Sequence, residues 1–173
     1  MTELYAGIDL HSNNNVIVVC DAEGHEVYRK LLRNDLELVA QSLEAYRESL
    51  CGVVVESTYN WYWLVDGLMN LGHTLHLANT VAIQKYSGLK HSDDNSEARW
   101  LADMLRLGIL PEGYIYPKEE RAIRDLLRKR AHLVRQRTSN ILSIKNILTR
   151  NTGVTLRSDA IKKLSDEEID GLF

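Results

Sequence analysis

Two short apolar runs open the chain and limit what it can become. They are Leu4-Tyr5-Ala6-Gly7-Ile8-Asp9-Leu10 and Val16-Ile17-Val18-Val19-Cys20, with Asn13-Asn14-Asn15 between them. Both are rich in β-branched residues and too short for buried helices, so they read as two strands of a hairpin opening a sheet. Near the end of the first stands one carboxylate, Asp9. A charge is costly to bury unless it is paired or bound to a cation. The fold must therefore bring Asp9 a partner.

Asp21-Ala22-Glu23-Gly24 is a turn, and Glu26 to Leu32 gives a third strand that completes a meander. Asn34 or Asp35 can cap a helix running to about Ser49, with Leu36, Val39, Ala40, Leu43 and Tyr46 at helical spacing. Gly52-Val53-Val54-Val55-Glu56 is apolar without alternation, which fits a strand covered on both faces, and it too ends in a carboxylate. A helix over 60–71 is stopped by Gly72, and 74–78 is a fifth strand. The order βββ-α-β-α-β predicts a mixed five-stranded sheet flanked by helices. Right-handed crossovers then set the strands ending in Asp9 and Glu56 side by side. The stretch 81–92 has no clear pattern. From Asp93 a helix runs to about Leu107, with Asp94 and Glu97 three residues apart on one face; Gly108 and Pro111 end it.

From Lys118 to Asn151 there is neither Gly nor Pro. Leu127, Val134, Ile141 and Leu148 recur every seven residues, flanked by Leu126, Leu133 and Ile147. This predicts a long helix with a dimerising, coiled-coil stripe, imperfect where Arg130 and Arg137 replace apolar residues. The net charge of −3 conceals an asymmetry. Residues 118–157 hold 11 Lys/Arg against 3 Asp/Glu, a net of +8, so the remainder carries −11. A basic helix on an acidic body points to a polyanion as its partner, although a solvated helix face has the same composition. Cys20 and Cys51 lie in predicted strands without metal-ligand spacing, which fits a reduced cytosolic compartment. No apolar run reaches membrane-spanning length.

The sequence thus offers carboxylates at Asp9, Glu56, Asp94 and Glu97. Brought together they raise one another's pKa and need a counter-charge. Magnesium, or manganese, supplies it through oxygen ligands, and two such ions can stabilise both oxygens of a phosphodiester displacement. Each residue also has a plainer role. Polar residues often mark strand ends, N-capping accounts for Asp94 taken alone, and Glu97 alone is an ordinary solvated helix residue. His11 and His91 near the acids suit surface polar roles, and Trp61, Trp63 and Trp100 suit the core better than base stacking.

Three blocks carry a resemblance: Gly7-Ile8-Asp9, then Val54-Val55-Glu56-Ser57-Thr58, then residues 90–102 from Lys90 to Ala102. They resemble the DEDD transposases of the insertion-sequence-110 class, with further likeness at 105–111 and 124–130; the resemblance covers about residues 4–156. It implies an RNase H-like, RuvC-like fold and magnesium-dependent DNA strand cleavage and transfer. It also implies, in part of the family, guidance by a structured RNA. Asp9, Glu56 and Asp94 occupy the first three acidic positions. Glu97 stands where the family has Asp, keeping the charge and adding a methylene, and Tyr59 stands where it has Gly. The family's C-terminal domain with a nucleophilic serine is expected to be missing, so that this chain alone would not complete transposition.

The expected organisation is a catalytic domain over 1–110, a connector over 111–117, a long basic helix over 118–152 and a polar tail over 153–173. Arg124, Arg128, Lys129, Arg130, Arg135 and Arg137 are the expected nucleic-acid contacts. Leu127, Val134, Ile141 and Leu148 form the expected homo-oligomer seam, in a cytoplasmic protein associated with the nucleoid when acting. Two other readings stand beside this one. A non-catalytic module would only dimerise and bind nucleic acid. An actin-like or sugar-kinase-like ATPase fragment fits Gly7-Ile8-Asp9 and the following hairpin, but not the length, the missing second glycine-rich loop or the basic helix.

Overall fold

A computed structural model of the chain describes residues 2–83 and 97–171. The chain divides into two compact units at Ile115/Tyr116. Among the described residues, the first unit is built on a mixed six-stranded sheet in the order β3-β2-β1-β4-β5-β6. Its strands are β1 (Leu4–Leu10), β2 (Asn14–Asp21), β3 (Glu26–Arg33), β4 (Leu50–Glu56), β5 (Leu75–Ala78) and β6 (Glu112–Gly113). The three-strand meander is antiparallel, β4 and β5 continue parallel to β1, and β6 returns antiparallel.

The sixth strand corrects the expected count of five. It lies in 111–117, the stretch expected as a connector, and pairs through Leu77–Gly113 and Ala78–Glu112. The contact of His76 Nδ1 with Glu112 Oε1 at 3.0 Å adds to it. Two residues carry no period, so nothing in the sequence marks them as a strand.

β4 behaves as its unbroken apolar run requires. Val53 and Val55 enter one core cluster with Ala6, Ile8 and Leu10 of β1, covered by α1 (Leu36–Glu44) and α2 (Tyr62–Asn70). Val54 enters a cluster on the opposite face, beneath α4 (Glu97–Arg106). Asp35 caps α1, its side chain accepting from the backbone N–H of Glu37 and Leu38. α1 ends sooner than its spacing predicts, because 45–49 tighten into turns that lead into β4. A single turn, α3 (Thr80–Ile83), follows β5. Trp61 is buried in the first cluster, with Trp63 packed against it and Trp100 against the α4 side, so all three serve the core. Cys20 is buried, Cys51 is exposed, and both are free thiols.

The second unit carries α5 (Lys118–Thr152), which Gly153 stops at φ 72°, a left-handed conformation that glycine adopts without strain. α6 (Ser158–Ile161) packs against α5. Within the stretch expected as a polar tail, Ser165 and Glu168 form a capping box for α7 (Asp166–Asp170). Among the described residues no helix is long and apolar enough to cross a membrane.

Candidate active site

The alternation of β1 decides where Asp9 points. Ala6, Ile8 and Leu10 turn toward α1 and α2, so Gly7 and Asp9 face α4. The parallel register Gly7↔Val54 and Ile8↔Val55 carries Asp9 alongside Glu56. Two carboxylates on neighbouring strands thus reach the same end of the sheet on the same face.

α4 brings the third. It can lie directly on β1 because Gly7 has no side chain. A Cβ there would overlap the carbonyl oxygen of Ala98 and stand 2.7 Å from the backbone nitrogen of Ala102. Ala98 and Ala102 are buried with Val18 and Cys20, and their small side chains permit the same approach. Glu97 immediately precedes Ala98, so the helix that settles on Gly7 delivers Glu97 to the strand ends. Farther along α4, Arg106 Nη1 donates to the Ala22 carbonyl at 3.1 Å and Arg99 Nη2 to the Gly24 carbonyl at 3.3 Å, fastening the helix to the β2–β3 turn. Asp103 accepts from Nε and Nη2 of Arg106 at 3.1 and 3.0 Å and orients that guanidinium.

The result is a group in which Asp9, Glu56 and Glu97 each offer a carboxylate oxygen within 4.8 Å of the others. Asp9 is buried at 6% exposure, Glu56 half-buried and Glu97 exposed. Three carboxylates so close repel one another, and an opposite charge among them offsets that repulsion. A donor set made only of oxygens suits a hard divalent cation rather than a soft metal. Asp94, the remaining predicted member, lies outside the described residues, as do Asp93 and His91.

His11, expected in a surface polar role, is in contact with the site. Its Nε2 lies 3.2 Å from Asp9 Oδ2 while 53% of its side chain remains exposed. Its backbone is held from several directions. The His11 carbonyl accepts from Asn34 Nδ2 at 3.0 Å and Asn60 Nδ2 at 3.1 Å. Asn60 in turn accepts from Thr58 Oγ1 at 2.8 Å, and Thr58 N–H donates to the Glu56 carbonyl at 2.9 Å. The turn after Glu56 is thereby tied to the turn after Asp9. Neither the close approach at Gly7 nor this clamp is evident from residue spacing. A glycine inside an apolar strand, a mark of close backbone approach, was the available signal for the former.

Asp21, Glu23 and His25 make a second cluster of this kind in the β2–β3 turn. There Asp21 Oδ1 accepts from the backbone N–H of Glu23 and His25. Burial acts upward on the Asp21 carboxyl, but its hydrogen bonds with His25 and Glu23 outweigh it and hold the pKa below the ordinary value. The arrangement is that of a capped turn.

In the second unit the predicted basic residues all lie on α5. At about 100° per residue, Arg124, Arg128 and Arg135 form one stripe, while Arg130 and Arg137 sit within the apolar one. Arg124 stacks 4.7 Å above the Tyr116 ring. Arg121, not among the predicted contacts, is buried and donates from Nε to the Tyr116 carbonyl at 2.8 Å. Leu127 and Val134 are exposed, Ile141 is half-buried, Leu148 is buried at 2% exposure, and Ile161 of α6 is buried at 8%.

A family model described as Transposase, of the DEDD type named for insertion sequence IS110, matches residues 6–152. No curated protein matches the chain.

Proposed function

Because the chain belongs to the DEDD transposase family of the insertion-sequence-110 class, we propose that its first unit cleaves and transfers DNA strands using a divalent cation held by Asp9, Glu56 and Glu97. One observation carries this reading: carboxylates 88 positions apart at the extremes of the set meet within 4.8 Å. Magnesium, or manganese in its place, matches the all-oxygen donor set. Asp94, three residues before Glu97, is the proposed fourth donor. The methylene that Glu97 adds to the family's Asp is compatible with this role, since its oxygen reaches the other two. Bound there, a divalent cation supplies positive charge to the attacking and leaving oxygens of a phosphodiester. The chain's own work is to fix the oxygens beforehand: Asp9 through burial at a strand end, Glu56 through the parallel register, and Glu97 through the docking of α4 on Gly7.

The RNase H-like, RuvC-like fold belongs to the same proposal. It is supported by the antiparallel meander β1–β3, the parallel β1–β4–β5 core, helices on both faces and acids at adjoining strand ends. In the second unit Arg124, Arg128, Lys129, Arg130, Arg135 and Arg137 are proposed to hold nucleic acid backbone, which gives affinity and salt dependence rather than sequence choice. Leu127, Val134 and Ile141 are proposed as the coiled-coil seam between copies, while Leu148, expected in the same seam, is already buried within the chain; a structured guide RNA is proposed as a further partner. Family membership leaves the ATPase reading without support.

Nicking of branched DNA tests the proposal. The expected result is nicking in manganese, none with a chelator, and loss by at least about 100-fold in Asp9→Asn and Glu56→Gln. A second reading is favoured by the long basic helix alone: binding without catalysis. Retention of DNA or RNA with no metal-dependent nicking by the unaltered chain would select it.

A further inference from the structure

We propose that His11 is a positioning residue of this site, orienting the Asp9 carboxylate toward Glu56 and Glu97 for cation binding; the inference rests on the metal-dependent reading above. His11 follows the strand that ends at Asp9, and its Nε2 turns back to lie 3.2 Å from Asp9 Oδ2. At this distance the polar edge of the ring stands directly against one oxygen of the carboxylate. Securing Oδ2 fixes the plane of the carboxylate and hence the direction in which its other oxygen is presented.

The clamp on the His11 backbone gives the contact its significance. Asn34 Nδ2 donates to both the His11 and Ser12 carbonyls, at 3.0 and 3.1 Å. Asn34 is itself steadied by the wholly buried Asn15, whose Nδ2 donates to Asn34 Oδ1 at 3.1 Å. Asn60 reaches the same His11 carbonyl from the loop after β4. A ring more than half in solvent contributes little to packing, yet side chains from the start of β2, the β3–α1 junction and the β4 loop converge to fix its backbone. Such precision serves the direction in which the ring points.

Manganese binding to the full chain, followed by calorimetry and by the spin resonance of the ion, tests the role apart from activity. His11→Ala is expected to weaken binding about 10–100-fold, the range for outer partners of metal ligands, while far-UV circular dichroism and the thermal midpoint stay near the parent. His11→Gln, which keeps a polar N–H group on a side chain of similar length, is expected to recover most of the loss. Asn60→Ala, which frees the carbonyl but keeps the ring, is expected to fall between the two and carries the test should His11→Ala fail to fold. Parent affinity retained in both His11→Ala and Asn60→Ala overturns the role of His11 alone, and so does equal loss in His11→Ala and His11→Gln. A parent chain that binds no manganese removes the metal site itself and this inference with it, a distinct result.

Discussion

Cys20 and Cys51 show how far the surroundings of one side chain govern its chemistry. Burial, and then the nearby charge of Asp103, push the Cys20 thiol up to about 11, while Cys51 is exposed on β4. A thiol reagent is expected to modify Cys51 in the folded chain and Cys20 only on unfolding, which counting modified thiols by mass will check. The raised value also has a sign. The fold keeps the Cys20 proton where the unfolded chain, with a thiol near 9.0, has lost it. Its contribution is whole below that value and is lost as the pH rises toward about 11. Urea midpoints should therefore drop between about pH 8 and about pH 10.5 more in the parent than in Cys20→Ala. At this scale the sequence was partly legible. Asp9 and Glu56 stand out because each is a lone charge closing an apolar strand. Glu97 has no such mark; its spacing of three from Asp94 and its place in a family block are what single it out. The contact of His11 was hidden because it depends on Asn34 and Asn60, 23 and 49 residues away in the chain.

α4 on β1 is the packing on which the site depends, and Gly7 is its narrowest point. Gly7→Ala sets a methyl group against the backbone of Ala98 and Ala102, so the helix must move. A loss of at least about 1–3 kcal/mol in denaturant unfolding is expected, together with weaker manganese binding by the protein that remains folded. Asp35→Ala provides the contrast. Removing the α1 cap should cost about 1 kcal/mol and leave manganese affinity unchanged, because α1 lies across the sheet from the acids. Equal effects of the two substitutions on metal binding would show that general stability, rather than the seat of α4, controls the site. The elements themselves were legible to the extent that they carry a period. β4 announced its two covered faces through unbroken valines, and α5 announced its length by lacking Gly and Pro. β6 and α6 are too short to hold a pattern and exist through tertiary contacts, against β5 and α5 respectively.

For the molecule as a whole, the basic segment 118–157 lies in the second unit and most of the acidic remainder in the first. α5 presents distinct faces: Arg124, Arg128 and Arg135 on one, and Leu127, Val134 and Ile141 on another. Replacing one of those arginines by alanine should weaken DNA or RNA binding and lower the salt slope by about 0.7–0.9 per lost phosphate contact. Leu127→Ala with Val134→Ala should instead lower the mass in solution measured by light scattering; an unchanged mass would remove the seam. The charge asymmetry and the heptads made this division readable, whereas the meeting of the acids depends on strand register and on the seat of α4, neither of which a local pattern encodes. Soaking crystals of the chain in manganese and recording anomalous density tests that meeting most directly. The expected result is a peak bridging Asp9, Glu56 and Glu97. A peak confined to the turn of Asp21, Glu23 and His25, or none at the three acids under saturating metal, would contradict it.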